Sequence, residues 1–259
     1  MNPVNTAYGG LPMGSGSPIS RRGFVRLCAS ALGMIGANPA LLAQPDARLH
    51  RYQRVRLVDA SDHPINVKTL EVGENYVFNY PFVTTPCFLL NLGHATTPAD
   101  LTTEIGETYR WPGGIGPARS VVAFSAICAH KMSYPAKAIS FINYRHERVN
   151  FRNSAEQPVE RAQVIYCCSE KSVYDPAQGA RVLGGPAKQP LAAIVLEEDK
   201  RDGALYAVGT YGGELFERFF HEFGFRLALD HGTRDIRAAV TGTTTVMPLA
   251  EYSGQQMRC

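Results

Sequence analysis

Two short cysteine motifs, each leaving a β-rich run, constrain this chain more than any other feature. Ser120-Val121-Val122-Ala123-Phe124 leads into Cys128-Ala129-His130, and Gln163-Val164-Ile165-Tyr166 leads into Cys167-Cys168-Ser169-Glu170-Lys171-Ser172. Two loops that leave adjacent strands can converge and hold one metal group between them. Thiolates are the usual anchors of iron–sulfur clusters, and imidazole on one iron raises the potential. Cys-x-His alone is a weak signal; the second cysteine motif and the turn residues beyond it add weight. Ser172-Val173-Tyr174-Asp175-Pro176 with Gly179, then Gly184-Gly185-Pro186-Ala187 with Pro190-Leu191, fit a tight turn and a proline loop closing over a site.

Residues 50–211 read mostly as β. Tyr76-Val77-Phe78-Asn79-Tyr80 and Cys87-Phe88-Leu89-Leu90-Asn91-Leu92 are short apolar runs bounded by Pro and Gly. Ala192-Ile194-Leu196 and Ala204-Tyr206-Val208 flank a charged turn, Glu198 to Gly203, and predict a hairpin. Short strands separated by turn signals predict an antiparallel β sandwich or barrel. Beyond residue 211 the period changes. Leu215, Phe216, Phe219, Phe220 and Phe223 fall on one face of an amphipathic helix. That face predicts docking on the helix's own domain, with partner binding as the sharper alternative. Residues 231–259 are rich in Thr, Gly and polar residues and are expected to be poorly ordered.

The first 43 residues stand apart. Ser20-Arg21-Arg22-Gly23-Phe24-Val25-Arg26 is close to a full twin-arginine export signal, and Leu27 to Ala37 form a short apolar stretch after it. That stretch is too short for a confident membrane span. Cleavage after Ala43 would release a periplasmic protein; an uncleaved signal would leave it attached to the membrane. Twin-arginine signals serve proteins exported already folded, often with a cofactor inserted beforehand. An oxidising destination permits disulfides. Of six cysteines, Cys28 lies in the signal and Cys87, Cys128, Cys167, Cys168 and Cys259 remain. That odd number leaves at least one free, ligating or paired between chains. A formal net charge of +3 and the lack of long basic runs give no case for nucleic-acid binding.

Ile127-Cys128-Ala129-His130, Tyr166-Cys167, Ser172-Val173-Tyr174-Asp175-Pro176 and Gly184-Gly185-Pro186-Ala187-Lys188-Gln189-Pro190-Leu191 resemble the Rieske family. Phe78-Asn79-Tyr80-Pro81, Gly113-Gly114-Ile115-Gly116-Pro117 and Ser120 to Ser125 are similar to the small subunit of arsenite oxidases. The resemblance spans about residues 70–210. It implies a mainly β fold over residues 50–211, a Rieske-like antiparallel β sandwich or barrel. A small cluster-binding subdomain would occupy about 124–190, with the helix and tail at 212–259. It implies a [2Fe–2S] cluster and one-electron transfer, with a quinone or a larger oxidoreductase subunit on one side and a c-type cytochrome on the other. On that pattern Cys128 and Cys167 bind one iron and His130 the other. The second imidazole falls at Glu170, and a loop-bridging disulfide would fall at Ser133 and Ser169, where both residues are serine.

Three accounts fit these departures. The cluster is kept, with Glu170 as the fourth ligand or His146 or Cys168 in its place. A carboxylate or thiolate there adds negative charge and lowers the potential. Or a single metal ion is held by Cys128, His130, Cys167 and one more group. Or the site is empty of function, and the chain is a cluster-free structural subunit that docks through its Phe-rich helix and the basic spacer from Ser133 to Gln163. Cys87 reads as a buried thiol, and Trp111 as packing beside a turn. His50, His63, His94, His221 and His231 read as surface or ordinary core histidines. No Ser/His/Asp order, phosphate loop or carboxylate pair suggests an independent hydrolase.

Overall fold

Alternation along the strands is resolved into two cores, one on each face of a curled sheet. The computed structural model describes residues 49–259, and the segment read as an export signal, with the cleavage expected after Ala43, lies outside them. In chain order come β1 (His50–Val58), β2 (Tyr76–Asn79), β3 (Pro86–Asn91), β4 (Ala99–Thr102), β5 (Thr108–Trp111) and β6 (Val121–Ser125). Next are β7 (Ile142–Arg145), β8 (Val149–Arg152), β9 (Pro158–Arg161), β10 (Val164–Cys167), β11 (Ser172–Asp175) and β12 (Arg181–Gly184). The chain ends with β13 (Ala193–Glu198), β14 (Leu205–Tyr211), helix α1 (Leu215–His231), β15 (Thr243–Thr245), β16 (Met247–Pro248) and the short helix α2 (Leu249–Tyr252). The described residues are mainly β, with one long helix at Leu215–His231.

The main sheet has eight strands in the order β15-β1-β14-β13-β6-β3-β2-β16. Side chains alternate across a strand, so Cys87, Leu89, Val121 and Ala123 face an inner core with Val55, Leu57, Ile194, Leu196, Leu205 and Ala207. Their neighbours Phe88, Leu90, Val122 and Phe124 face outward into a second core. The β13–β14 pair is antiparallel, the hairpin read from the sequence. Cys87 is fully buried and free, and Trp111 is buried against Gly179.

The second core joins the sheet to a smaller unit. Strands β12-β11-β10-β7 form a four-stranded antiparallel sheet, and β8 and β9 form a hairpin beside it. Helix α1 covers the same core. Its Leu215, Phe216, Phe219, Phe220 and Leu227 are buried, each worth roughly 1.5–3 kcal/mol relative to exposure. The helix ends at Gly232 in the left-handed region, whose N–H caps Ala228 and Leu229 carbonyls. The aromatic face is therefore consumed within the chain and is not a free docking face.

The tail corrects the expectation of disorder. β15 pairs parallel with β1 and β16 pairs antiparallel with β2, at opposite edges of the sheet. Residues 243–248 thus bridge the two edges and nearly close the sheet into a barrel. Thr244 Oγ1 donates to Asn79 O at 3.0 Å within the closure. Polar composition misleads here because an edge-closing strand gains mainly backbone hydrogen bonds and needs little apolar surface.

Candidate metal centre

The first loop leaves β6 and is tied by its own backbone. Cys128 N donates to Ser133 O at 2.8 Å and Met132 N donates to Cys128 O at 3.0 Å. Met132 takes φ 56°, which turns the chain back on itself. The loop thereby buries the Cys128 side chain and leaves His130 at the rim. The second loop is the β10–β11 turn, where Cys167 pairs across the strands with Ser172 and lies beside Ile142 of β7. The backbone N–H groups of Ser169 and Glu170 point at Cys167 Sγ.

A third segment supports the second loop. Gly185, at φ +81°, brings its backbone against Lys171 and Ser172, and a Cβ there would lie 2.6 Å from Ser172 Cα. Glycine is the residue that tolerates both the conformation and the approach. The Gly-Gly-Pro run therefore acts as a buttress for the second loop.

The four candidate residues meet two and two. Cys128 and Cys167 are both fully buried and in hydrogen-bonding contact with each other. His130 and Glu170 lie further out, with side chains 29% and 26% exposed, and His130 Nδ1 stands 3.7 Å from Glu170 Oε2. His130 Nδ1 is buried and has no hydrogen-bond partner. Among the described residues no three His, Cys, Asp or Glu side chains close on one metal-sized point. That division does not suit a single ion with four ligands. A two-iron group takes two donors on each iron. Two thiols, an orphaned imidazole nitrogen and a carboxylate make a donor set that fits.

The inner pair is electrostatically prepared for anionic sulfur. The Cys167 thiol, donating to Cys128, holds the Cys128 pKa down to about 6 against the cost of burial. The Tyr174 hydroxyl and the His130 N–H assist. The Cys167 pKa is pushed up by the same contact with Cys128 and by burial. In the outer pair, Lys131 Nζ approaches Glu170 Oε1 at 3.3 Å.

The two alternative fourth ligands are placed elsewhere. Cys168 forms a disulfide with Cys259. It stands next to Cys167 on a strand end, where successive side chains point to opposite faces. Cys259 therefore pairs within the chain and not between chains. The His146 ring lies against Gly73 and beside Tyr144, with ring centroids 6.2 Å apart. Much of the basic spacer is neutralised locally, by the pairs Arg145–Glu147, Arg148–Glu160 and Arg161–Asp175.

No family model matches the chain. A similar solved structure is the soluble domain of the Rieske protein II (soxF) from Sulfolobus acidocaldarius, at 25% identity and a TM-score of 0.40. The match covers 61% of this chain and 78% of that one.

Two residues at the site were given no role by the sequence. Tyr174 is fully buried; its hydroxyl lies 3.3 Å from Cys128 Sγ and accepts from Ala129 N at 3.1 Å. The register of β11 gives a weak signal for it, since Tyr174 is two residues from Ser172 and shares its face. Arg218 of α1 donates from Nη2 to the carbonyls of Ala129 at 2.9 Å and His130 at 2.7 Å. Nothing in the local sequence around residue 218 points to a loop nearly ninety residues upstream.

Proposed function

We propose that this chain binds an atypical [2Fe–2S] cluster and relays single electrons as a subunit or partner of a larger oxidoreductase. The observation that carries the reading is the two-and-two division of donors: a buried thiol pair facing a half-buried imidazole–carboxylate pair. Cys128 and Cys167 would hold the inner iron, and His130 and Glu170 the outer one. The bound cluster supplies one-electron chemistry. The protein's own groups bury the sulfurs, aim the N–H groups of Ser169, Glu170 and His130 and the Tyr174 hydroxyl at them, and leave the outer pair partly exposed to a partner.

The location and partners belong to the same proposal. The twin-arginine segment supports export in the folded state to the periplasm, with membrane attachment where the signal is retained. The resemblance to arsenite oxidase small subunits supports a large catalytic subunit or a quinone on one side and a c-type cytochrome on the other. The test is iron and acid-labile sulfide content with low-temperature EPR, on protein matured through its own export route. Two irons and two sulfides with a rhombic reduced-state signal are expected. Folded protein without iron or sulfide overturns the reading. It would favour a cluster-free structural subunit, for which the Lys131–Glu170 pair is the specific support, because it satisfies the carboxylate with no metal.

A further inference from the structure

The two ligand-bearing loops have no covalent link to each other. Ser133 of the first and Ser169 of the second line one small cavity of about 170 Å³, with Tyr134 and with Phe223 of α1. Each loop is instead fastened to the C-terminal segment, residues 215–259. Arg218 holds the first loop through the Ala129 and His130 carbonyls, and Tyr134 of that loop stacks edge-on against Phe219 at 5.0 Å. The disulfide from Cys259 holds the second loop at Cys168, the residue next to Cys167.

Between these two anchors the tail is laced along the stretch that separates the loops. Ser253 Oγ donates to Ala136 O at 2.7 Å, and Gly254 N donates to Lys137 O at 2.9 Å. Ser140 N donates to Gln255 O, and Met257 N donates back to Ser140 O, both at 2.8 Å. Asn143 Nδ2 of β7 donates to Met257 O at 2.8 Å. The tail carries backbone bonds from the exit of the first loop to the strand beside Cys167.

We infer that residues 215–259 are a clasp that sets the spacing of the Cys128 and Cys167 loops and retains the group bound between them. Arg218 and the Cys168–Cys259 disulfide are its two fastenings, and both are positioning groups that touch no donor atom. A disulfide elsewhere would raise stability mainly by restricting the unfolded chain. One placed beside Cys167 also limits local opening of the folded protein, which is what allows a bound group to escape. Retention rests on the cluster reading above; the setting of loop spacing does not.

The experiment compares the full chain with a Cys168→Ser and Cys259→Ser double variant, which leaves no stray thiol, and with Arg218→Gln. Val55→Ala, in the inner core on the opposite face of the sheet, controls for lost global stability. Amide hydrogen exchange is monitored in 128–134 and 167–172, together with iron release to an excess of ferrous chelator. The double variant is expected to speed exchange in 167–172 about 10-fold or more. Arg218→Gln is expected to do so in 128–134, and both to release iron faster, while Val55→Ala changes neither. Loop exchange that matches wild type in both clasp variants overturns the clasp. So does iron release from Val55→Ala as fast as from the double variant. Wild-type protein that contains no iron overturns the cluster reading instead, and exchange alone then decides the clasp.

Discussion

His130 Nδ1 faces Glu170 Oε2 across 3.7 Å, with no other partner for the imidazole nitrogen. On the cluster reading proposed above, an imidazole and a carboxylate stand side by side as donors to the outer iron. Negative charge near a cluster stabilises its oxidised form and lowers the potential. Glu170→His is therefore expected to raise the reduction potential, by on the order of 100 mV. EPR-monitored redox titration measures it. A potential unchanged by the substitution would remove Glu170 from the cluster's surroundings.

Cys167 is the deeper test of the same centre. It is fully buried, touches Cys128 and receives two backbone N–H groups. Serine there keeps the size and loses the soft anchor that iron–sulfur clusters require. Cys167→Ser is expected to abolish the visible chromophore and the bound iron while the protein stays folded by circular dichroism. An intact visible spectrum would exclude Cys167 as a ligand.

Tyr174 joins the first loop to the second sheet through one oxygen, which meets Cys128 Sγ and Ala129 N. Phenylalanine fits the same space and removes both contacts. Tyr174→Phe is expected to lower stability by about 1–2 kcal/mol, the cost of a buried N–H left without an acceptor. Hydrogen bonds to cluster sulfur tune its potential, and their loss leaves more charge on the ligand, so the potential is expected to fall as well. Chemical denaturation and redox titration read the two effects separately. A stable variant with an unchanged potential would mean that Tyr174 only fills space.

The parts of this protein that were legible in the sequence are those with short-range signals. Short apolar runs at Cys87–Leu92 and Ser120–Phe124 marked strands, and the charged turn between Glu198 and Gly203 marked a hairpin. The resemblance to the Rieske pattern set Glu170 opposite His130, and the two side chains lie side by side. What the sequence hid depends on contacts between distant segments. The Arg218 bonds to Ala129 and His130, the Cys168–Cys259 bridge and the closure by residues 243–248 each join regions far apart in the chain. A polar, glycine-containing tail has no periodicity to reveal that its backbone completes a sheet. Five cysteines lie beyond the expected signal segment, and pairing any two of them leaves an odd number, so counting could not choose Cys168 and Cys259.

Glu214 offers a test of the helix that carries Arg218. It precedes α1, its side chain is half-buried, and Oε1 is buried with no hydrogen-bond partner. Burial raises its pKa above the ordinary 4.5, and the Glu107 carboxylate raises it further against the pull of its own backbone N–H and of His50. A raised folded-state pKa means that the folded protein holds the proton more tightly than the unfolded chain does. Its contribution is thus fully favourable below about pH 4.5 and is lost as pH rises through the folded value. Glutamine resembles the protonated acid and keeps a neutral group there at every pH. Glu214→Gln is expected to match wild type near pH 4 and to be more stable than wild type at pH 7. Urea denaturation at the two pH values measures the difference. An equal offset at both would show that the carboxylate's charge carries no penalty at this position.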